Sequence, residues 1–155
     1  MSSDEPTIYF EPSGCNCGRD NYSQADIDAA CKAALQLASQ GQTVGRDRYP
    51  HAYNDYEHFN FKHASAPYIE FPIMRDGETY DGDKSPGADR VVLGSIAEDF
   101  QSAVYCAVIT HQGENNNKFQ ECQDDTMNPR GTGDYKNEHS ANERWNRKLV
   151  KRIEL

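Results

Sequence analysis

A chain of 155 residues with a formal net charge of −9 is long enough to close one hydrophobic core and reads as one domain. The acidic balance excludes a protein that tracks many phosphates along a nucleic acid, because such proteins are basic. It leaves room for one that grips a single phosphate and a single base. No apolar run approaches membrane-spanning length, and no membrane partner is expected.

The opening Met1-Ser2-Ser3-Asp4-Glu5 has neither the charged nor the apolar region of a signal peptide. Five cysteines in a small acidic chain nevertheless point to a secreted, disulfide-bearing protein whose signal has been removed, ahead of a cytosolic one. Residues 1–14 are polar, with Pro6 and Pro12, and form either a loose arm or, at Thr7-Ile8-Tyr9-Phe10, a short strand. Asn21-Tyr22-Ser23 is a glycosylation sequon, a signal of low specificity. Ser23 followed by Asp26 predicts a helix N-cap in a variant capping box. Ile27, Ala30, Cys31, Ala34, Leu35, Leu37 and Ala38 then fall at helical spacing. Gly41 ends the helix.

Short strands are expected near residues 49–53, 67–73, 89–93 and 104–111, separated by turn chemistry such as Asp76-Gly77, Asp81-Gly82-Asp83 and Ser85-Pro86-Gly87. One helix followed by such strands predicts an α+β domain: a helix packed on a twisted antiparallel sheet of four to five strands, with the other sheet face left for function. The expected organisation is an N-terminal arm over 1–14, the domain over 15–122, and an extension over 123–155. In that extension Gln123–Ser140 reads as a polar linker. Ala141–Leu155 carries Trp145, Leu149, Val150 and Ile153 at helical spacing. From Ser140 to Leu155 five basic residues meet two acidic ones, so residues 1–139 carry −12. The segment is either a docked helix or a basic amphipathic one that helps to hold RNA or an acidic membrane surface.

The densest chemistry lies in Tyr49-Pro50-His51-Ala52-Tyr53-Asn54-Asp55-Tyr56-Glu57. On a strand, Tyr49, His51 and Tyr53 project from one face. Pro67-Tyr68-Ile69-Glu70-Phe71-Pro72-Ile73 adds a carboxylate, Ser85-Pro86-Gly87-Ala88-Asp89-Arg90-Val91-Val92 a guanidinium, and Val108-Ile109-Thr110-His111 a second imidazole. Together they suit acid–base chemistry on a phosphodiester. The histidines at 51, 58, 63, 111 and 139 lack metal-ligand spacing, so neither a metal nor another cofactor is expected.

These four motifs, in this order, with Asn115-Asn116-Asn117-Lys118-Phe119-Gln120-Glu121-Cys122, resemble the guanyl-specific fungal ribonucleases of the ribonuclease T1 family. The resemblance runs from about Cys17 to Cys122. It implies the microbial ribonuclease fold, a single-stranded RNA substrate, a monomer, and cleavage 3′ to guanosine through a 2′,3′-cyclic phosphate. By the same resemblance Glu70 is the general base, assisted by a charged His51. His111 is the general acid, Arg90 the phosphate clamp, Tyr49 a donor to a non-bridging oxygen, and Phe119 an apolar wall. For the base, Glu57 would accept from guanine N1–H and the N2 amino group. Backbone N–H groups of Asn54, Asp55 and Tyr56 would address O6 and N7, Tyr53 and Tyr56 would stack, and Asn117 would complete the pocket.

The resemblance also implies a Cys17–Cys122 disulfide. Strand alternation separately sets Cys106 opposite His111 and toward the helix stripe that holds Cys31, which makes a Cys31–Cys106 bridge the second expectation. Cys15 is left free or pairs between chains, and Asn21 stands where the family's small N-terminal loop has its second cysteine. Ala52, Asp55, Phe71 and Lys118 stand where lysine, asparagine, tryptophan and asparagine are common in the family, and His58 replaces a small residue. These departures bear on rate and on strictness of guanine choice. Two rival readings are a ribosome-directed ribotoxin and a catalytically weak secreted RNA-binding or host-interaction protein. Against the first stand the acidic core and the mere 18 residues between His51 and Glu70. Against the second stands the full set of catalytic residue types.

Overall fold

The computed structural model describes residues 5–9, 11–12, 14–18, 20–53, 64–74, 78–111 and 119–124. The single helix among them, α1, spans Gln24–Ser39. Its start is fixed chemically: the Ser23 hydroxyl accepts from the Asp26 backbone N–H, and the Asp26 carboxylate accepts from the Ser23 N–H. Its end is a paired one too. Gly41, at a positive φ of 66°, donates to the Ala38 carbonyl and Gln42 donates to that of Leu37. This closes two carbonyls that the last turn would otherwise leave bare. The buried stripe is Ile27, Ala30, Cys31, Ala34, Leu35 and Ala38.

That stripe lies on a sheet whose strand order is β1-β7-β6-β5-β4, with β8 also paired to β7. The strands are β1 (Thr7–Tyr9), β4 (His51–Tyr53), β5 (Tyr68–Pro72), β6 (Asp89–Gly94), β7 (Ser102–Thr110) and β8 (Gln120–Glu121). A second, three-stranded sheet joins β2 (Gly14–Asn16), β3 (Asn21–Ser23) and β9 (Gln123–Asp124) in the order β3-β2-β9. The α+β class and the helix on one sheet face agree with expectation. The main sheet departs from it in being mixed, because β1 pairs parallel to β7, Thr7 to Ser102 through Tyr9 to Val104. Three residues of apolar alternation are too short a signal to announce such a long-range pairing.

Alternation sorts the sheet into two apolar layers. Ile69, Phe71, Val91, Leu93, Tyr105 and Val108 pack with the helix stripe. Tyr53, Val92, Val104, Ala107 and Ile109 form a cluster on the other side, with Tyr68 and Phe119 against it.

One irregularity corrects an expectation. Between β6 and β7 the register shifts: Val92 pairs with Ala107, but Leu93 pairs with Tyr105. Cys106 is the extra residue of this bulge, and an extra residue reverses the alternation beyond it. Cys106 therefore sits with Val104, Ala107 and Ile109 in the second cluster, while Cys31 is in the helix-side one. The expected Cys31–Cys106 disulfide is not formed, and both cysteines are buried outside any disulfide.

Candidate active site

The second face of the sheet gathers the polar side chains that the sequence singled out. β4 and β5 run antiparallel with His51 opposite Glu70 and Tyr53 opposite Tyr68. β5 and β6 place Pro72 opposite Arg90 and Glu70 opposite Val92, so Glu70 and Arg90 are diagonal neighbours on one face. Both are buried, at 6 % and 4 % exposure. Charges so far from water persist only with partners. The two Glu70 oxygens have them: Oε2 lies 3.7 Å from His51 Nδ1, and Oε1 lies 3.7 Å from Arg90 Nε. Both separations are longer than a direct hydrogen bond.

Arg90 is oriented by the turn that precedes it. Its Nη1 donates to the carbonyls of Gly87 at 2.9 Å, Asp89 at 3.0 Å and Pro86 at 3.3 Å. Its Nε donates to the Tyr49 hydroxyl at 3.1 Å, and the guanidinium carbon lies 5.0 Å from the centre of the Tyr49 ring. Ser85-Pro86-Gly87 was legible as a turn; its carbonyls as a cradle for the guanidinium were not. Asp89, next along β6, faces the other way and accepts from the Tyr22 hydroxyl.

Tyr49 lies ahead of β4, in an isolated bridge to Val44. It is buried and stacks on His51, with ring centres 4.5 Å apart. Tyr80 meets its edge at 6.0 Å; no strand pattern flagged Tyr80, which reaches the site from a loop. Burial holds the Tyr49 phenol above its ordinary value. His51 moves downward: burial disfavours its charge, Arg90 adds to this, and a hydrogen bond to the Ala52 carbonyl and the charge of Asp47 oppose it only in part. The Glu70 carboxylate, 3.7 Å from Nδ1, is the group that a charged ring would face. With Nδ1 3.1 Å from the Ala52 carbonyl oxygen, a neutral ring donates from Nδ1 and keeps its lone pair on Nε2.

His111 follows the last residue of β7, anchored by its N–H to the Ala88 carbonyl at 2.9 Å. Its imidazole stacks on Phe119 at 3.7 Å, and Phe119 meets the edge of Tyr53 at 6.2 Å. The structure thus makes two groups, His51–Glu70–Arg90, which Tyr49 reaches from the helix-side cluster, and Tyr53–Phe119–His111. A cleft of about 830 Å³ opens beside His111, lined by Asn16, Gly18, Ala88, Gln120 and Gln123 among others. The expected base-pocket residues Asn54, Asp55, Tyr56, Glu57 and Asn117 lie outside the described residues, as do His58 and the extension beyond Asp124.

Comparison with known proteins places this geometry in context. A family model described as ribonuclease matches residues 10–123. The chain is 44 % identical over 117 residues to guanyl-specific ribonuclease T1 of Aspergillus oryzae, covering 76 % of this chain and 84 % of that protein. It is 43 % identical over 110 residues to extracellular guanyl-specific ribonuclease Fl1 of Gibberella baccata, covering 71 % of this chain and 96 % of that protein. A solved structure of a ribonuclease from Hericium erinaceus, RNase He1, aligns with a TM-score of 0.46 at 36 % identity, covering 71 % of this chain and 98 % of that one.

Proposed function

The chain belongs to the ribonuclease family that includes the guanyl-specific fungal enzymes, and from that premise we propose that it is a secreted endoribonuclease cleaving single-stranded RNA 3′ to guanosine. The observation that carries the reading is the buried Glu70 carboxylate between His51 and Arg90, on the sheet face that the helix leaves open.

RNA supplies its own nucleophile. Glu70 takes the proton of the 2′-hydroxyl as its oxygen attacks phosphorus. His51 assists from beside Glu70, its Nδ1 3.7 Å from Oε2. The phosphorane carries extra negative charge on its non-bridging oxygens, and Arg90 and the Tyr49 hydroxyl stabilise it. Arg90 remains cationic throughout, and its guanidinium is held by three carbonyls, so little reorganisation is needed as that charge develops. His111 protonates the departing 5′-oxygen, and the 2′,3′-cyclic phosphate results. Hydrolysis runs the same roles in reverse: His111 takes a proton from water, and Glu70 returns one to the 2′-oxygen. Phe119 fixes the His111 ring by stacking and forms an apolar wall. Guanine is held by Glu57, by the backbone of Asn54, Asp55 and Tyr56, by the rings of Tyr53 and Tyr56, and by Asn117. The relative described as extracellular supports secretion, and the protein acts as a monomer.

The test is hydrolysis of GpC and ApC in the presence of EDTA, with products followed by chromatography. The expected outcome is cleavage of GpC through a transient cyclic phosphate, unaffected by EDTA and far faster than that of ApC. Glu70→Gln should lower GpC turnover by about 10²–10⁴-fold, the usual contribution of a general base. A rate that needs added Mg²⁺, or products formed without the cyclic species, overturns the proposal.

A further inference from the structure

Cys15 is the cysteine for which neither the fold nor the chemistry above has a use. It stands at the centre of β2 and is buried. Cys17 is two residues on, so strand alternation brings both side chains to one side. β2 pairs antiparallel with β9, Cys15 opposite Asp124 and Asn16 opposite Gln123. Continuing that register sets Cys17 opposite Cys122, and these two form the disulfide. Cys15 is then the diagonal neighbour of Cys122. Cys15 Sγ is 3.9 Å from Cys17 Sγ, and all three sulfurs lie within 4.8 Å of one another.

We propose that Cys15 is a reserve partner for Cys122, and that the disulfide between the two ends of the domain exchanges internally between Cys17–Cys122 and Cys15–Cys122. The Cys15 thiol first releases its proton to solvent. The thiolate attacks Cys122 Sγ; the Cys15–Cys122 bond forms as the Cys17–Cys122 bond breaks. The electron pair leaves on Cys17 Sγ, which then takes up a proton. One disulfide is lost and one gained, so no oxidant or reductant is consumed. The other conceivable product, Cys15–Cys17, releases Cys122 and leaves the two ends of the domain untied. Both products need the backbone to close up, since neighbours along a strand and diagonal neighbours across strands stand farther apart than the about 3.5–4.5 Å between the Cβ atoms of a disulfide. Exchange leaves its new thiol on Cys17, which lines the cleft beside His111.

The test uses the full chain. In the wild type three cysteines, Cys15, Cys31 and Cys106, stand outside the disulfide. Cys17→Ser, prepared without reductant, should retain two free thiols on denaturation, Cys31 and Cys106, and yield a peptide joining Cys15 to Cys122. Four free thiols, or Cys15 linked to any other cysteine, overturns the proposal. Should that variant fail to fold, the wild type decides. It is held near pH 8.5, where an ordinary thiol is about half ionised, then blocked with N-ethylmaleimide and mapped without reduction. A fraction labelled at Cys17 and joined Cys15–Cys122 is expected, and it should vanish in Cys15→Ser. Labelling confined to Cys15, Cys31 and Cys106 overturns exchange.

Discussion

A carboxylate at 6 % exposure between an imidazole and a guanidinium has its environment set almost wholly by those neighbours. Glu70, His51 and Arg90 were named from sequence through the resemblance to the ribonuclease T1 family. Their shared face comes from the strand register, with His51 opposite Glu70 and Arg90 diagonal to it. The downward pull on His51 was not legible. It comes from burial of the ring and from the charge of Arg90, and the Tyr49 ring stacked on it is brought there by a bridge outside β4. In the proposed reading, base choice rests on Glu57, a residue read from sequence alone. Glu57→Gln replaces an acceptor oxygen with a donor facing guanine N1–H or the N2 amino group. Loss of one charge-assisted bond costs about 1.5–3 kcal/mol, roughly ten- to a hundredfold in rate. We expect kcat/KM for GpC to fall by that factor with ApC nearly unchanged, whereas His111→Ala should depress both alike. Equal losses for GpC and ApC in Glu57→Gln would place the guanine pocket elsewhere.

Among the elements, α1 was readable to its caps because Ser23, Asp26 and Gly41 each mark a local hydrogen-bonding event. The bulge at Cys106 was not, since Val104–Val108 contains no glycine, proline or polar break to mark an inserted residue. The segment leading into β2 shows another effect hidden from sequence. Lys32 on α1 bridges Asp28 at 2.8 Å and Glu5 at 2.9 Å, and Glu11 is drawn into the same group. One Glu11 oxygen is buried without a hydrogen bond. Burial first, then a hydrogen bond to Asp28 and the Asp28 charge, push its carboxyl up to about 9, against a smaller opposing effect of Lys32. The native state therefore keeps a proton that the unfolded chain gives up above 4.5. This contribution to stability is complete below 4.5 and is lost as pH rises to about 9. Glu11→Gln should flatten that decline, so urea midpoints of variant and parent should diverge increasingly as pH rises across the interval. Parallel midpoint curves would show that Glu11 ionises freely in the folded protein.

Over the whole molecule, one covalent bond spans 105 residues of sequence, from Cys17 to Cys122. Closing a loop of that size removes conformations from the unfolded chain worth on the order of 4–5 kcal/mol in the chain-entropy picture. Cys122→Ser removes the sulfur shared by both forms of the staple. It should cost about 2–5 kcal/mol, measured by urea unfolding, and more than Cys17→Ser, for which Cys15 can substitute. Equal losses for the two variants would mean that the staple has a single form.

The parallel pairing of β1 with β7 has a consequence for life in a crowded solution. β7 is the longest strand among the described residues, at nine residues, and Ser102–Val104 would otherwise present bare amide and carbonyl groups to any neighbouring molecule. Such a rim invites another chain to add itself as a further strand. The three residues of β1 occupy that stretch first, and β8 covers Ile109 and Thr110 farther along. The N-terminal segment is thus a guard against self-association as well as part of the sheet. A chain lacking residues 1–12 should scatter light increasingly with concentration while keeping its helical circular dichroism. A truncated chain that stays monodisperse would show that the open rim is harmless.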